Sequence, residues 1–244
     1  MAKLICISDG HGPQTPGKRT PPIDGKIIHE NQFNAPAATF LEISLKRCGF
    51  RTLQAAPESA DISLAARVER ANTAKADAFI DIHYNAFRGV WDQTLGGSQT
   101  CYQPGNVQGQ KLAGCVQKYI ALGTPQINRG IVPLDLYVTR NFKGPGIVVE
   151  NGFMDVREEA ARMLNEAFQK EQAEQMAQGI CEYFGVKYIP EMPPRDELAE
   201  AIGVLVRAGL INSPEYWLKN AVSGGKVDGP NAAALIRAVA KKLK

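Results

Sequence analysis

Histidine is scarce in this chain: 244 residues hold three, His11, His29 and His83. Any histidine chemistry therefore has few possible participants. His11 follows the apolar run KLICIS (residues 3–8) by way of Asp9-Gly10, and His83 closes the run AFIDIH (78–83). Both runs are predicted strands, and in open α/β sheets ligands gather at the carboxyl ends of strands. A catalytic Zn2+ needs three protein ligands and an open position for water, and two His with one carboxylate is a common set. His29-Glu30 opens a predicted helix and offers a third ligand. An HExxH pair is excluded because position 33 is Phe. Periodicity leaves His29 and Glu30 both open, since each lies within a turn of Phe33. Such a metal also needs a carboxylate near its water. Glu150 ends the run GIVVE (146–150) at the same predicted sheet edge. Asp81 stands two residues before His83 and so shares its side of the strand. It is a candidate either to orient an imidazole or to pair with an arginine or a helix N-terminus.

Strands and helices must alternate to bring these residues to one edge. Residues 9–28 are rich in Gly and Pro and form a predicted loop. At about 20 residues it is too long for a plain connector, which points to a functional loop. Phe33, Ala37, Phe40, Leu41, Leu45 and Cys48 have helical spacing, closed by Gly49. Residues 63–75, 108–122, 156–164 and 166–184 are further predicted helices. Residues 50–53, 97–102 and 136–139 are further predicted strands. The alternation predicts an α/β fold, a mixed, mostly parallel twisted sheet flanked by helices. Residues 186–195 (VKYIPEMPPR) read as a linker between a catalytic domain, 1–185, and a small all-α domain, 196–244. In the latter, Ser213 is a predicted N-cap with Pro214 at the first helical position. So small a unit is marginal alone and is expected to dock on something.

Composition narrows the classes. With 44% hydrophobic and 22% charged residues the chain is an average globular one, not collagen-like, coiled-coil or disordered. A net charge of +3 is too small to argue for a nucleic-acid partner. No apolar stretch approaches the ~18 residues of a membrane span. The N-terminus lacks the apolar core and cleavage site of a secretory signal, so cytoplasmic synthesis is expected. The five cysteines, Cys6, Cys48, Cys101, Cys115 and Cys181, are widely spaced with no CxxC pair. They read as buried reduced thiols rather than disulfides, a metal knot or a nucleophile.

Together, several segments resemble the zinc-dependent N-acetylmuramoyl-L-alanine amidases of the amidase-3 type. They are Asp9-Gly10-His11-Gly12; Glu30 in HENQFN; Arg67, Ala71-Asn72 and Ala76-Asp77 running into FIDIHYNAF; and VVENGFMD (148–155). The resemblance spans roughly residues 3–184. It implies that His11, Glu30 and His83 hold Zn2+, which selects Glu30 over His29, and that Glu150 is the catalytic carboxylate. The implied substrate is peptidoglycan. The implied reaction is hydrolysis of the amide between the lactyl group of N-acetylmuramic acid and L-alanine of the stem peptide. Asn151 directly after Glu150 departs from many members and is expected to alter substrate contacts. The GKRTP run (17–21) and the missing signal resemble phage and prophage lysis enzymes, which reach the wall after release from the cytoplasm.

The tail resembles small segments found after such catalytic domains, chiefly in LxxxGLINSPEYW (205–217). Tyr216 and Trp217 offer a stacking platform for wall glycan. The plainer expectation is that they pack a three-helix core or a homodimer contact. Two other functions fit the same residues. One is a zinc carboxypeptidase-type peptidase, with Arg129 or Arg140 holding a peptide carboxylate. The other is a non-catalytic wall-binding protein on the same fold.

Overall fold

Leu4–Ser8 (β1) is buried along its whole length, as a strand covered on both faces must be. The computed structural model describes residues 2–57, 61–94, 96–123, 126–191, 195–222 and 224–242. The chain forms two compact units, residues 1–189 and 190–244. In the first, β1 is followed by α1 (Asn31–Arg47), β2 (Arg51–Gln54), α2 (Leu64–Thr73), β3 (Ala78–Asn85) and β4 (Ser98–Tyr102). Then come α3 (Val107–Gly123), β5 (Asn128–Pro133), α4 (Tyr137–Asn141), β6 (Gly146–Phe153), α5 (Arg157–Ala160) and α6 (Glu166–Phe184). The sheet order is β2-β1-β3-β6-β4-β5. Neighbouring strands run parallel except β4 against β6. This is the expected mixed, mostly parallel sheet flanked by helices.

Its two faces are covered unequally. Ile5, Ile7, Ile80, Ile82, Ile147 and Val149 pack under α1, α3 and α6, against Phe33, Leu41, Leu112, Val116, Met176 and Ile180. Each fully buried aliphatic side chain there contributes roughly 1.5–3 kcal/mol. The alternate residues Cys6, Phe79, Cys101 and Val148 form a smaller cluster with Val68 and Ala71 of α2, Val138 and Phe142 at α4, and Ala55. Neither helix is long, α2 having 10 residues and α4 five. The period of two therefore sends Phe79, Asp81 and His83 of β3, and Val148 and Glu150 of β6, to the thinly covered face.

Two expectations need correction. Residues 136–139 are not a strand but lead into α4. Val138 and Phe142, four apart, both reach the smaller core, and Thr139 Oγ1 donates to the Leu136 carbonyl at 3.2 Å. That spacing is helical, although Val138 and Thr139 are β-branched. The strand on that side is β5, an edge strand with no fully buried residue that pairs Ile131 and Val132 with Thr100 and Cys101 of β4. Residues 156–164 hold only the short α5, after which the chain turns through Arg162 N–H to the Glu159 carbonyl, 3.0 Å. The Glu159 carboxylate faces inward and accepts from the Gly97 and Phe153 amides, both at 2.7 Å.

All five cysteines are free; Cys115 is half-buried and the others are buried. Burial pushes the Cys6 and Cys101 thiols up to about 12, far from the thiolate a nucleophile requires. No helix of the described residues is long and apolar enough to cross a membrane.

The second unit consists of α7 (Arg195–Arg207), α8 (Pro214–Asn220) and α9 (Gly229–Lys242). Residues 192–194 of the expected linker lie outside the described residues. Ser213 and Pro214 open α8 as anticipated, without a side-chain capping bond. Tyr216 stacks edge-on against Trp217, and its hydroxyl donates to the Asp228 carboxylate at 2.7 Å. That bond ties α8 to the segment entering α9.

Candidate metal centre and active site

His11 lies just past β1, in a loop held from several directions. Gly10 has φ +66°, and a Cβ there would sit 2.6 Å from the Ile82 carbonyl oxygen and 3.0 Å from His83 Cε1. Only glycine lets this loop cross so close to β3. Arg67, 1% exposed, pairs with Asp9 at 2.7 Å and donates to Ser8 Oγ at 3.0 Å and the Ile62 carbonyl at 3.0 Å. Asn31 donates to Asp9 at 3.2 Å and to the His11 carbonyl. Gly12 donates to Asp61 at 3.2 Å.

Glu30 occupies the N-cap position of α1 yet makes no capping bond with its side chain. Its carboxylate turns inward, 2% exposed. Oε1 accepts from the Tyr84 amide at 3.0 Å and Asn34 Nδ2 at 3.1 Å, and lies 2.9 Å from His83 Nδ1. Oε2 lies 3.6 Å from His11 Nε2. On its far side His83 Nε2 meets Asp81 Oδ2 at 3.2 Å. Asp81 is thus placed to hold the His83 ring, the first of its two expected roles. The His11 and His83 rings meet nearly edge to face, centroids 4.9 Å apart. Donor atoms of His11, Glu30 and His83 all lie within 4.8 Å of one another. His29 takes no part in this cluster; its amide donates to Gln32 Oε1 at 2.8 Å.

Glu150 stands directly opposite His83 in the β3–β6 register. Its Oε2 is buried and has no hydrogen-bond partner. His11, Lys18, Asp81, His83, Tyr137 and Glu150 line one pocket of about 210 Å3. Burial would raise the Glu30 pKa, but the hydrogen bond and charge of His83 outweigh it and hold the carboxyl at about 2. Burial lowers His11 to about 4, against the pull of Glu30. Burial also opposes a charge on His83, yet Asp81 and Glu30 raise its pKa well above the usual value. Glu150, lacking a partner, is raised by burial to about 7, only partly offset by His83. A neutral imidazole, a firmly ionised carboxylate and a buried carboxyl poised near neutrality are a donor set and a base suited to metal-assisted hydrolysis.

The poised carboxyl makes a stability prediction. In metal-free protein the folded pKa of Glu150, about 7, exceeds its ordinary 4.5. Stability from burying it uncharged is complete below pH 4.5 and lost as pH rises through 7. Glu150→Gln is therefore expected to raise the thermal unfolding midpoint of chelated protein at pH 8 and leave it nearly unchanged at pH 4.5. Melts at both pH values test the sign.

Two sequence expectations fare differently here. Asn151 does not face the substrate pocket: it is fully buried on the opposite sheet face and donates to the His83 and Val149 carbonyls, both at 3.1 Å. It braces the strand pair that carries the site. Arg129 stacks over Phe153 and bonds Gln99, while Arg140 pairs with Asp135 at 2.7 Å; neither lines the pocket. Sequence reasoning assigned Lys18 no role in the site, although it noted the GKRTP run (17–21) that contains it.

A mixed α/β sheet with a His-Glu-His donor cluster and a buried carboxylate beside it defines a hydrolase domain. The chain belongs to the Amidase_3 family, N-acetylmuramoyl-L-alanine amidase, whose profile matches residues 5–182. It is a peptidoglycan amidase acting in cell-wall hydrolysis. The catalytic domain of the amidase CwlV from Bacillus (Paenibacillus) polymyxa var. colistinus superposes with a TM-score of 0.68 at 30% identity, over 76% of this chain and 99% of that one. An endolysin of Bacillus phage SPP1 is 29% identical over 194 residues, 77% of this chain and 68% of its own length. The amidase LytC of Bacillus subtilis is 26% identical over 188 residues, 75% of this chain but 36% of that longer protein.

Proposed function

We propose that His11, Glu30 and His83 hold a zinc ion with which this amidase cleaves between N-acetylmuramic acid and the L-alanine of the stem peptide. The observation that carries the reading is the three-donor cluster within 4.8 Å beside a carboxylate oxygen with no partner. Two imidazoles and a carboxylate are a common catalytic zinc set. When bound, zinc supplies Lewis acidity toward the scissile carbonyl and lowers the pKa of water. Asp81 holds the His83 ring, and the Tyr84 amide and Asn34 hold Glu30, so the donors are oriented in advance. Glu150 removes a proton from the attacking water. The same carboxyl then returns that proton to the departing amine as the C–N bond breaks. The products are a free lactyl carboxylate on the glycan and a free amino group on L-alanine. The similarity to a phage endolysin supports a lytic role.

Mass spectrometry of digested, purified peptidoglycan tests this. New amino termini on L-alanine are expected, absent with a chelator and restored by zinc. Release of a carboxyl-terminal amino acid instead would support the peptidase alternative.

A further inference from the structure

The long segment before Glu30 is an ordered hairpin that presents one cation to the site. Arg19 and His29 form an antiparallel bridge, and Ile23 and Lys26 exchange backbone hydrogen bonds of 2.7 and 2.9 Å. At its base the Glu30 amide donates to the Lys18 carbonyl at 2.9 Å. Lys18 is thereby registered to the donor cluster. Its half-buried side chain lines the pocket of His11, His83 and Glu150. It is the one lysine or arginine doing so, and among the described residues it has no carboxylate partner at ion-pair distance. Its charge reaches both His11 and Glu150, disfavouring protonation of each.

A cation placed there implies an anion on the substrate. The argument rests on the amidase reading given above. On the glycan side of the scissile bond the lactyl carboxyl is consumed in the amide itself, and the sugar is uncharged. The anions lie on the peptide side. Because Lys18 and Glu150 share one small pocket, the anion must stand close to the bond being cut. We propose that Lys18 is a specificity-determining residue that pairs with a free carboxylate on the residue following L-alanine in the leaving peptide. Lysine serves as a mobile point charge for such a group, and arginine substitutes for its charge.

The test uses the full chain with zinc and two soluble N-acetylmuramoyl-L-alanyl-D-glutamyl peptides. They differ only in whether the α-carboxyl of the second residue is free or amidated. Wild-type protein is expected to prefer the free acid by about tenfold in kcat/KM, as for a hydrogen bond to a charged group, with the difference in KM. Lys18→Met should abolish the preference, the free-acid and amidated peptides becoming equal in KM, and Lys18→Arg should keep it. A wild type indifferent to amidation, or a preference that survives Lys18→Met, would overturn the assignment alone. Cleavage of neither peptide, nor of intact wall, by the wild type would overturn the amidase reading and the Lys18 assignment with it.

Discussion

Glu150→Gln is expected to lower kcat/KM on purified peptidoglycan by about 10²–10⁴-fold, the range for removing a general base, with zinc content unchanged. Glutamine keeps the shape of the side chain but cannot accept and return a proton. The substitution disturbs little else. Glu150 Oε2 has no hydrogen-bond partner to lose, and its strand is fixed by the pairings of β6 with β3 and β4. Loss of activity therefore reports chemistry rather than folding. Metal analysis beside a wall-clearing assay separates the two. A variant retaining more than about a tenth of wild-type rate would exclude Glu150 from proton transfer, since even the weakest general bases contribute about 10²-fold.

The second large effect falls on His83. Its ring joins two buried carboxylates, lying 2.9 Å from Glu30 and 3.2 Å from Asp81. His83→Ala deletes one of the three proposed metal donors and leaves those two like charges facing each other without a mediator. Expected results are no bound zinc after gel filtration and an activity loss of about 10³-fold or more, since the metal contributes several kcal/mol to the barrier. Because uncompensated buried charge also destabilises the fold, Asp81→Asn is the milder companion. It keeps His83 and its contact with Glu30 but weakens the partner behind the ring. Zinc affinity should fall by about 10–100-fold, with activity recovering at high zinc. A competition titration measures the affinity. Unaltered zinc binding by Asp81→Asn would show that the Asp81 contact does not tune the metal.

Much of this was legible in the sequence because period and punctuation agreed. KLICIS and AFIDIH announced β1 and β3, Gly49 stopped α1, and residues 166–184 carried their own helical stripe to the residues seen in α6. Where local chemistry and tertiary context disagreed, the reading failed. Val138 and Thr139 of α4 are β-branched, yet Val138 and Phe142 both find the same small core only as a helix. The edge strand β5 needs no apolar alternation, so Asn-Arg-Gly gave no signal. The site shows the same division. Its histidines and Glu150 were marked by strand position, but spacing alone left His29 and Glu30 equal. The inward turn of Glu30 depends on the Tyr84 amide, 54 residues away along the chain. Asn151 sits next to the candidate base yet points through the sheet, a consequence of a period of two that a motif does not display.

The sheet's unequal covering bears on how a wall is dismantled. Over the donor cluster the rim is set by short α4 and the start of α2, where Tyr137 and Leu64 are 38% and 41% exposed. A site shelved in this way requires no chain end to thread. A cross-linked polymer can settle on it sideways and be cut at an interior stem. Amide scission there frees stem peptides while leaving glycan strands at full length. Such cuts remove cross-links from the mesh before they remove its strands.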